Sequence, residues 1–323
     1  MDKDQGVRIA VIMAVYNGEL YLEEQIRSVA AQGYTNWHLF ISDDGSLDSS
    51  RDIITRMTGL YPDRISLAEN APENRGSRNN FDNAMKNARG YDYYLFSDQD
   101  DVWMPDKIEV LLKRMRDQER LYGTDCPLLV YSDLEVTDTG LHTISPSFIE
   151  SSALRLPAKN TLQQFLLYNC IPGCAMMMNG ALRDLADKIP GEAYMHDWWI
   201  ALTAAAFGRI ALEERPLMKY RQHGGNTVGT IRAESDADRL KKYASLGKIG
   251  RAYASNRDMK AMRRAQAVKF LSVYEDRLPA DSASLIRKYI RLLDRRGPVP
   301  AISALKSGFR FLSAAYTVKF FGM

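Results

Sequence analysis

Three carboxylates crowd into one short turn of this chain, Ser97-Asp98-Gln99-Asp100-Asp101. Like charges so close repel one another unless a cation shares them. Mg²⁺ or Mn²⁺ takes one or two carboxylates and fills the rest of its shell with phosphate and water. The turn therefore reads as a place where a divalent metal carries a phosphorylated ligand. The alternative for a D-x-D of this kind is a solvated acidic turn. Further polar groups recur along the chain: Tyr16-Asn17-Gly18, Asp43-Asp44-Gly45-Ser46, His196-Asp197-Trp198-Trp199 and Tyr220-Arg221-Gln222-His223-Gly224-Gly225-Asn226. They act together only if the fold brings them together.

The intervening segments predict such a fold. Val7 to Val15 is a nearly continuous apolar, β-branched run, as expected of a strand covered on both faces. Leu22, Ile26 and Val29 follow at helical spacing, and Gly33 closes that segment. Strands are predicted at Trp37–Ser42, Ile65–Ala68, Tyr91–Phe96 and Leu128–Val136. Helices are predicted at Asp48–Met57, from Phe81 through Ala88, and at Pro105–Arg120. Alternating strand and helix implies an α/β fold with a doubly wound, mostly parallel, Rossmann-like sheet. Tyr16-Asn17, Asp43-Asp44 and Asp98-Gln99-Asp100 each follow a strand, and open α/β sheets bind ligands at the carboxyl ends of their strands. Beyond Asp138 the pattern loosens. Leu141–Pro157 reads as a long loop, Thr161–Tyr168 as a short helix, Ala175–Met178 as a strand, Leu182–Lys188 as a helix, Met195–Ala206 as a helix and Ile210–Leu212 as a strand.

Several classes are excluded by what is missing. No G-x-G-x-x-G follows the first strand, against a dehydrogenase, and no G-x-x-x-x-G-K-S/T occurs, against a P-loop NTPase. The 323 residues are 46% hydrophobic and 26% charged, an ordinary globular balance. Cys126, Cys170 and Cys174 form neither a disulfide framework nor a zinc spacing and read as buried thiols. With no apolar signal region and no run long enough to span a bilayer, the expected location is cytoplasmic. The net charge of +3 hides an asymmetry: from Asp238 onward there are 19 Lys/Arg against 6 Asp/Glu, and before it 24 against 34. A basic tail on an acidic body suggests an anionic contact for the tail.

Taken in order, Met13-Ala14-Val15-Tyr16-Asn17-Gly18, Ser42-Asp43-Asp44-Gly45-Ser46-Leu47-Asp48, Phe96-Ser97-Asp98-Gln99-Asp100-Asp101-Val102-Trp103, Gly173-Cys174, His196-Asp197-Trp198-Trp199 and the segment from Tyr220 to Asn226 resemble the family 2 glycosyltransferases of GT-A fold, within them the bacterial rhamnosyltransferase-like branch. Each motif is weak alone, and the set spans residues 7–229. The resemblance implies inverting transfer of a sugar, rhamnose or a hexose, from a dTDP- or UDP-linked donor to a hydroxyl of a glycan or lipid-linked oligosaccharide in bacterial surface polysaccharide synthesis. It implies that Asp43, with Ala14, Tyr16, Asn17 and Asp44, meets the nucleoside, and that Asp98 and Asp100 hold Mn²⁺ or Mg²⁺ on the diphosphate. Asp197 would be the general base. His223 is carried over as a third metal ligand or diphosphate contact, Arg221 as a diphosphate partner and Arg78 as a donor contact. Each has a plainer reading: an N-terminal-turn carboxylate favoured by the helix dipole for Asp197, a satisfied loop histidine for His223, a polar helix start for Arg78. Asp101 would orient its neighbours. Two other functions compete, a sugar nucleotidyltransferase and a nucleotide-sugar-binding scaffold without catalysis. The first expects a Gly-rich basic loop where Tyr16-Asn17-Gly18-Glu19 stands, and the second expects a broken Asp98, Asp100 or Asp197.

Residues 1–229 are thus expected to be the catalytic domain and 230–323 a basic helical extension. Helices are predicted over Asp238–Tyr274, Asp281–Asp294 and Ala301–Phe321. In the last, Ile302, Leu305, Phe309, Leu312, Tyr316 and Phe320 form a stripe flanked by Lys306, Arg310 and Lys319. That stripe would dock peripherally on the anionic inner face of the plasma membrane, or pack on the catalytic domain or a second subunit as a homodimer. Nucleic acid is not needed to explain the basic charge.

Overall fold

The computed structural model describes residues 6–151, 161–223, 246–311 and 314–322. Four parallel strands open the sheet. β1 (Ile9–Val15) lies between β2 (Trp37–Asp43) and β4 (Tyr93–Ser97), and β3 (Ile65–Ala68) flanks β2. Helices α1 (Leu22–Ala30), α2 (Ser50–Leu60) and α3 (Ser77–Asn87) make the crossovers. β1 is buried along almost its whole length, which is why its apolar run is unbroken. The register sets Val15 beside Asp43 and Met13 beside Ser97. The three following loops therefore leave the sheet at one level of one edge.

The second half of the sheet is mixed. β5 (Val102–Trp103) and α4 (Lys107–Tyr122) follow the acidic loop, then β6 (Leu128–Thr137). β8 (Met176–Asn179) is inserted antiparallel between β4 and β6. β9 (Arg209–Arg221) runs parallel to β6 and pairs antiparallel with β5. β9 is far longer than the strand predicted at Ile210–Leu212. Its pairing slips around Asp133 and Pro216, and this irregularity admits the proline and carries the strand on to Arg221. The segment predicted as a loop from Leu141 holds β7 (Thr143–Ser145), paired with β6, and a helical turn α5 (Phe148–Ser151). The rest of that prediction lies outside the described residues, as do Gly224-Gly225-Asn226 and the start of the helix predicted from Asp238.

α6 (Leu162–Leu167), α7 (Gly180–Leu185) and α8 (His196–Phe207) complete this part. The tail forms α9 (Leu246–Tyr274), α10 (Ala280–Asp294), α11 (Pro298–Lys306) and α12 (Ala314–Gly322). The single amphipathic helix expected over Ala301–Phe321 is thus two helices. Gly308, at φ +79°, turns the chain after α11, a conformation that costs glycine nothing. The turn also splits the stripe: Phe309 and Phe320 are fully buried while Ile302 and Tyr316 are exposed, and Leu312 lies outside the described residues. Phe270, Tyr274, Tyr289, Phe309 and Phe321 join the same apolar core as the sheet. Among the described residues, no helix is long and apolar enough to cross a membrane.

Candidate functional site

The edge shared by β1, β2 and β4 carries the first part of the site. After Val15 the chain turns through Asn17, whose φ of 47° is one that asparagine tolerates better than most residues. The Asn17 backbone N–H donates to Ser46 Oγ at 2.9 Å, and its side-chain oxygen accepts from Leu47 N–H at 2.9 Å. The Asp43 carboxylate accepts from Ser46 Oγ at 2.5 Å and lies 3.4 Å from Arg51 Nε. Asp44 accepts from Gly76 N–H at 2.8 Å and from Asn70 Nδ2 at 3.2 Å. Between the Asp43-Asp44 turn and the loop after β3 lies an open cleft of about 150 Å³, walled also by Arg51, Asn70 and Arg75. Tyr16 is exposed, and Gln99 holds its backbone from the acidic loop, accepting from its N–H at 2.7 Å and donating to its carbonyl at 3.0 Å. Ala14 sits half-buried in β1 opposite Ser42. The cleft and the acidic loop are therefore joined through Gln99.

The acidic loop is held from the far end of the chain. Arg221 is buried, and the Asp101 carboxylate accepts from its backbone N–H at 3.1 Å. Its guanidinium donates to Asp100 O at 2.8 Å, Thr139 O at 2.5 Å and Glu24 at 2.5 Å, and rests over the Tyr21 ring. With so many groups engaged, Arg221 braces the acidic loop that the sequence pairs it with through a diphosphate. His223 Nε2 lies 2.7 Å from Asp100 Oδ2. Below the loop sits Lys107, fully buried, whose ammonium donates to Cys174 O at 2.7 Å and lies 4.1 Å from the Trp103 ring centre.

The electrostatics are those of crowded carboxylates. Burial first, then the charge of Asp100, pushes Asp98 up to about 7. The same two causes drive Asp101 well above the carboxylate range, and burial lowers Lys107 to about 8. Oxygens of Asp98 and Asp101 and the Cys174 sulfur lie within 4.8 Å of one another. Asp101 Oδ2 is buried without a hydrogen-bond partner, and a buried polar oxygen is costly when unpaired. Burial keeps the Cys174 thiol protonated, so the donor set is oxygen with one imidazole, which suits a hard divalent cation. Among the described residues the cluster that fits such an ion is Asp98 and Asp101 beside Cys174, with Asp100 and His223 paired to each other next to it in the chain and across the loop.

Asp197 lies in the first turn of α8, where its charge meets the positive end of the helix. Its carboxylate accepts from the Trp198 N–H at 2.6 Å and from the Asn169 side chain. Burial raises it to about 6. The preceding His196 stacks on Phe81 with ring centres 3.8 Å apart and has Phe96 on another side. Burial lowers it to about 3, so it is a neutral packing group. Gly173 lets this ring approach: a Cβ there would stand 2.7 Å from His196 Nε2.

Arg78 lies apart from the acidic loop. Its guanidinium donates to the carbonyls of Gly191 and Ala193, the latter at 2.9 Å, so it ties α3 to the loop before α8. Sequence reasoning missed Lys107, Asn169 and Gln99. Nothing local marks them: a lysine in the first turn of a helix and an asparagine between Tyr168 and Cys170 look like ordinary positions.

Residues 10–186 match the family model described as Glycosyl transferase family 2. Among curated proteins, the chain is 28% identical over 251 residues to the dTDP-rhamnosyl transferase RfbG of Shigella flexneri, covering 73% of this chain and 78% of that one. It is 31% identical over 215 residues to the putative teichuronic acid biosynthesis glycosyltransferase TuaG of Bacillus subtilis, covering 66% and 78%. Among solved structures, S. aureus TarS with UDP-GlcNAc superposes with a TM-score of 0.55 at 18% identity, over 88% of this chain and 70% of that chain. The mannosyltransferase PcManGT of Pyrobaculum calidifontis, with GDP-Man and Mn²⁺, gives 0.53 at 14% identity, over 99% and 81%. At these identities the structural likeness speaks for the GT-A fold alone.

Proposed function

Since the chain belongs to glycosyl transferase family 2, we propose that it is an inverting enzyme of bacterial surface polysaccharide synthesis. It moves rhamnose or a related hexose from a dTDP- or UDP-linked donor to a hydroxyl of a glycan or lipid-linked acceptor. Residues 1–229 carry this chemistry in the cytoplasm, and 230–323 form an extension. The observation that carries the reading is the convergence of Asp43, Asp98, Asp100 and Asp197: the first three leave one sheet edge, Asp98 lies beside Cys174, and the neighbouring Gly173 lies against Asp197. The similarity to RfbG favours dTDP-rhamnose as donor.

Each residue then has a task. Asp43 and Asp44 line the cleft that receives the nucleoside, and Ala14, Tyr16 and Asn17 reach the donor from the adjoining end of β1. Asp98, Asp100 and His223 would hold a divalent cation. When bound, that cation supplies positive charge to a diphosphate on which negative charge builds as the sugar leaves. Asp197 takes the proton from the acceptor hydroxyl as its oxygen attacks the anomeric carbon from the face opposite the leaving group. A carboxyl raised to about 6 is a stronger base than an ordinary one yet is still ionised at neutral pH. The test is transfer from dTDP-rhamnose and from UDP-hexoses to lipid-linked glycan with Mn²⁺, with the anomeric configuration of the product read by NMR. The expected product has the configuration opposite to the donor, and Asp197→Asn makes none while still binding the nucleotide. A product of retained configuration, or full turnover by Asp197→Asn, refutes the reading.

A further inference from the structure

The loop entering α8 decides where the Asp197 carboxylate stands, and that loop has no side-chain cap of its own. It is held from two sides. Arg78, from α3, takes the carbonyls of Gly191 and Ala193. From the other side comes Gln266 of α9, whose Oε1 accepts from the Tyr194 N–H at 2.9 Å. Gln266 is 2% exposed, so a buried amide from the tail is spent on one backbone donor three residues before Asp197.

One turn earlier on α9 lies Arg263, 6% exposed, with Nε and Nη1 lacking hydrogen-bond partners. Its guanidinium faces three rings, Trp198 at 5.8 Å, Phe311 at 5.2 Å and Phe320 at 4.8 Å. Trp198 follows Asp197 directly, and its indole N–H donates to Phe165 O at 2.5 Å. Among the described residues no carboxylate pairs with this buried guanidinium, so it costs desolvation that an apolar side chain would avoid. What it gains is attraction to ring faces, which has a preferred geometry where plain packing has none. The exposed ring of Tyr194 closes the far side, edge-on to Trp198 at 5.8 Å.

We infer that the C-terminal extension is a working part of the active site: Gln266 and Arg263 are positioning residues that set the first turn of α8 and thereby aim Asp197 at the acceptor hydroxyl. This rests on Asp197 being the base. A small displacement of a reacting group costs large factors in rate while leaving donor contacts intact. The split between turnover and donor affinity therefore separates positioning from general support.

The full-length chain is compared with Gln266→Met and Arg263→Leu, which remove the acceptor oxygen and the charge, and with Gln266→Glu and Arg263→Lys, which keep them. Arg264→Ala is the control, since Arg264 is on the same helix but pairs with Asp294. Turnover and donor KM are measured with the nucleotide sugar found by the transfer assay, and backbone hydrogen exchange is followed over residues 191–200 and 43–46. We expect kcat to fall about tenfold in Gln266→Met and Arg263→Leu, with donor KM within about twofold. Exchange should quicken over 191–200 alone, the conservative variants should recover most of the loss, and Arg264→Ala should match the parent. Folded Gln266→Met and Arg263→Leu with parental kcat and exchange would overturn the inference. If those two do not fold, Gln266→Glu and Arg263→Lys decide: parental exchange and kcat support it, and slow turnover despite parental exchange overturns it. Full turnover by Asp197→Asn would overturn the base assignment beneath it, a distinct result.

Discussion

Replacing Gly173 with alanine tests the packing behind the base with one methyl group. The added Cβ would meet His196 Nε2 at 2.7 Å, His196 Cε1 at 3.1 Å and Asp197 Cβ at 3.4 Å. Ordinary contact begins near 3.4 Å, so the imidazole must withdraw by roughly 0.7 Å. It has little room to do so, because Phe81 is stacked on it at 3.8 Å and Phe96 is 5.1 Å away, both buried. Overpacking a full core costs about 1–3 kcal/mol. With unfolding entropy of roughly 2 cal/mol/K per residue, a chain of this size loses about 1.5 °C in melting midpoint per kcal/mol, hence about 2–5 °C. The larger effect falls on chemistry. His196 and Asp197 are consecutive in the first turn of α8, so a shift of the ring carries the carboxylate with it. A misplacement approaching 1 Å costs up to about 100-fold in rate, so kcat should fall about 10- to 100-fold. Donor KM should stay within about twofold, since the cleft at Asp43 is untouched. Steady-state kinetics and a thermal melt read both. Parental kcat in a folded Gly173→Ala protein would refute the claim that His196 packing fixes Asp197.

The base must be ionised to act, and burial holds Asp197 at about 6, so with saturating Mn²⁺ keeping Asp98 ionised kcat/KM should be flat above that pH and drop about tenfold per unit below it; a limb near 4 would contradict the buried environment. Asp100→Ala should weaken Mn²⁺-dependent nucleotide binding by at least about tenfold while leaving the weaker binding in EDTA unchanged, as titration calorimetry would show; equal affinities with and without Mn²⁺ would remove Asp100 from the metal site. Arg78→Ala leaves the Gly191 and Ala193 carbonyls without their partner, at a cost of about 1–3 kcal/mol, so the melting midpoint should fall with donor KM unchanged; a large rise in donor KM would restore Arg78 to the donor.

Much of the fold and of the site was legible because both depend on local signals. β1 and β4 are buried on both faces, so their apolar runs are unbroken, and the acidic turns that follow them are short and composed of few residue types. What stayed hidden depends on partners distant in the chain. Nothing near Arg221 in the sequence shows that Glu24, Asp100 and Thr139 lie around it. Lys107 reads as solvated until α4 is laid beneath the acidic loop. The tail carried a helical stripe, and periodicity cannot reveal that Gly308 folds one half of it back on the other. Antiparallel insertion of β8 was equally out of reach, because a four-residue apolar run carries no mark of strand direction.

That insertion has a consequence for how the chain comes off the ribosome. β1, β2, β3 and β4 pair among themselves and can assemble as soon as Ser97 has emerged. The outer edge of β4 must wait for β8, since Tyr93 pairs with Asn179, roughly 80 residues later. At about 5–20 residues per second that is a delay of about 4–16 s. During it, an apolar strand, Tyr93–Ser97, shows unpaired backbone groups to solvent. Nascent chains are most open to mispairing with one another in this interval, so slower growth temperature or a holding chaperone should raise the soluble yield more than any change to the finished enzyme.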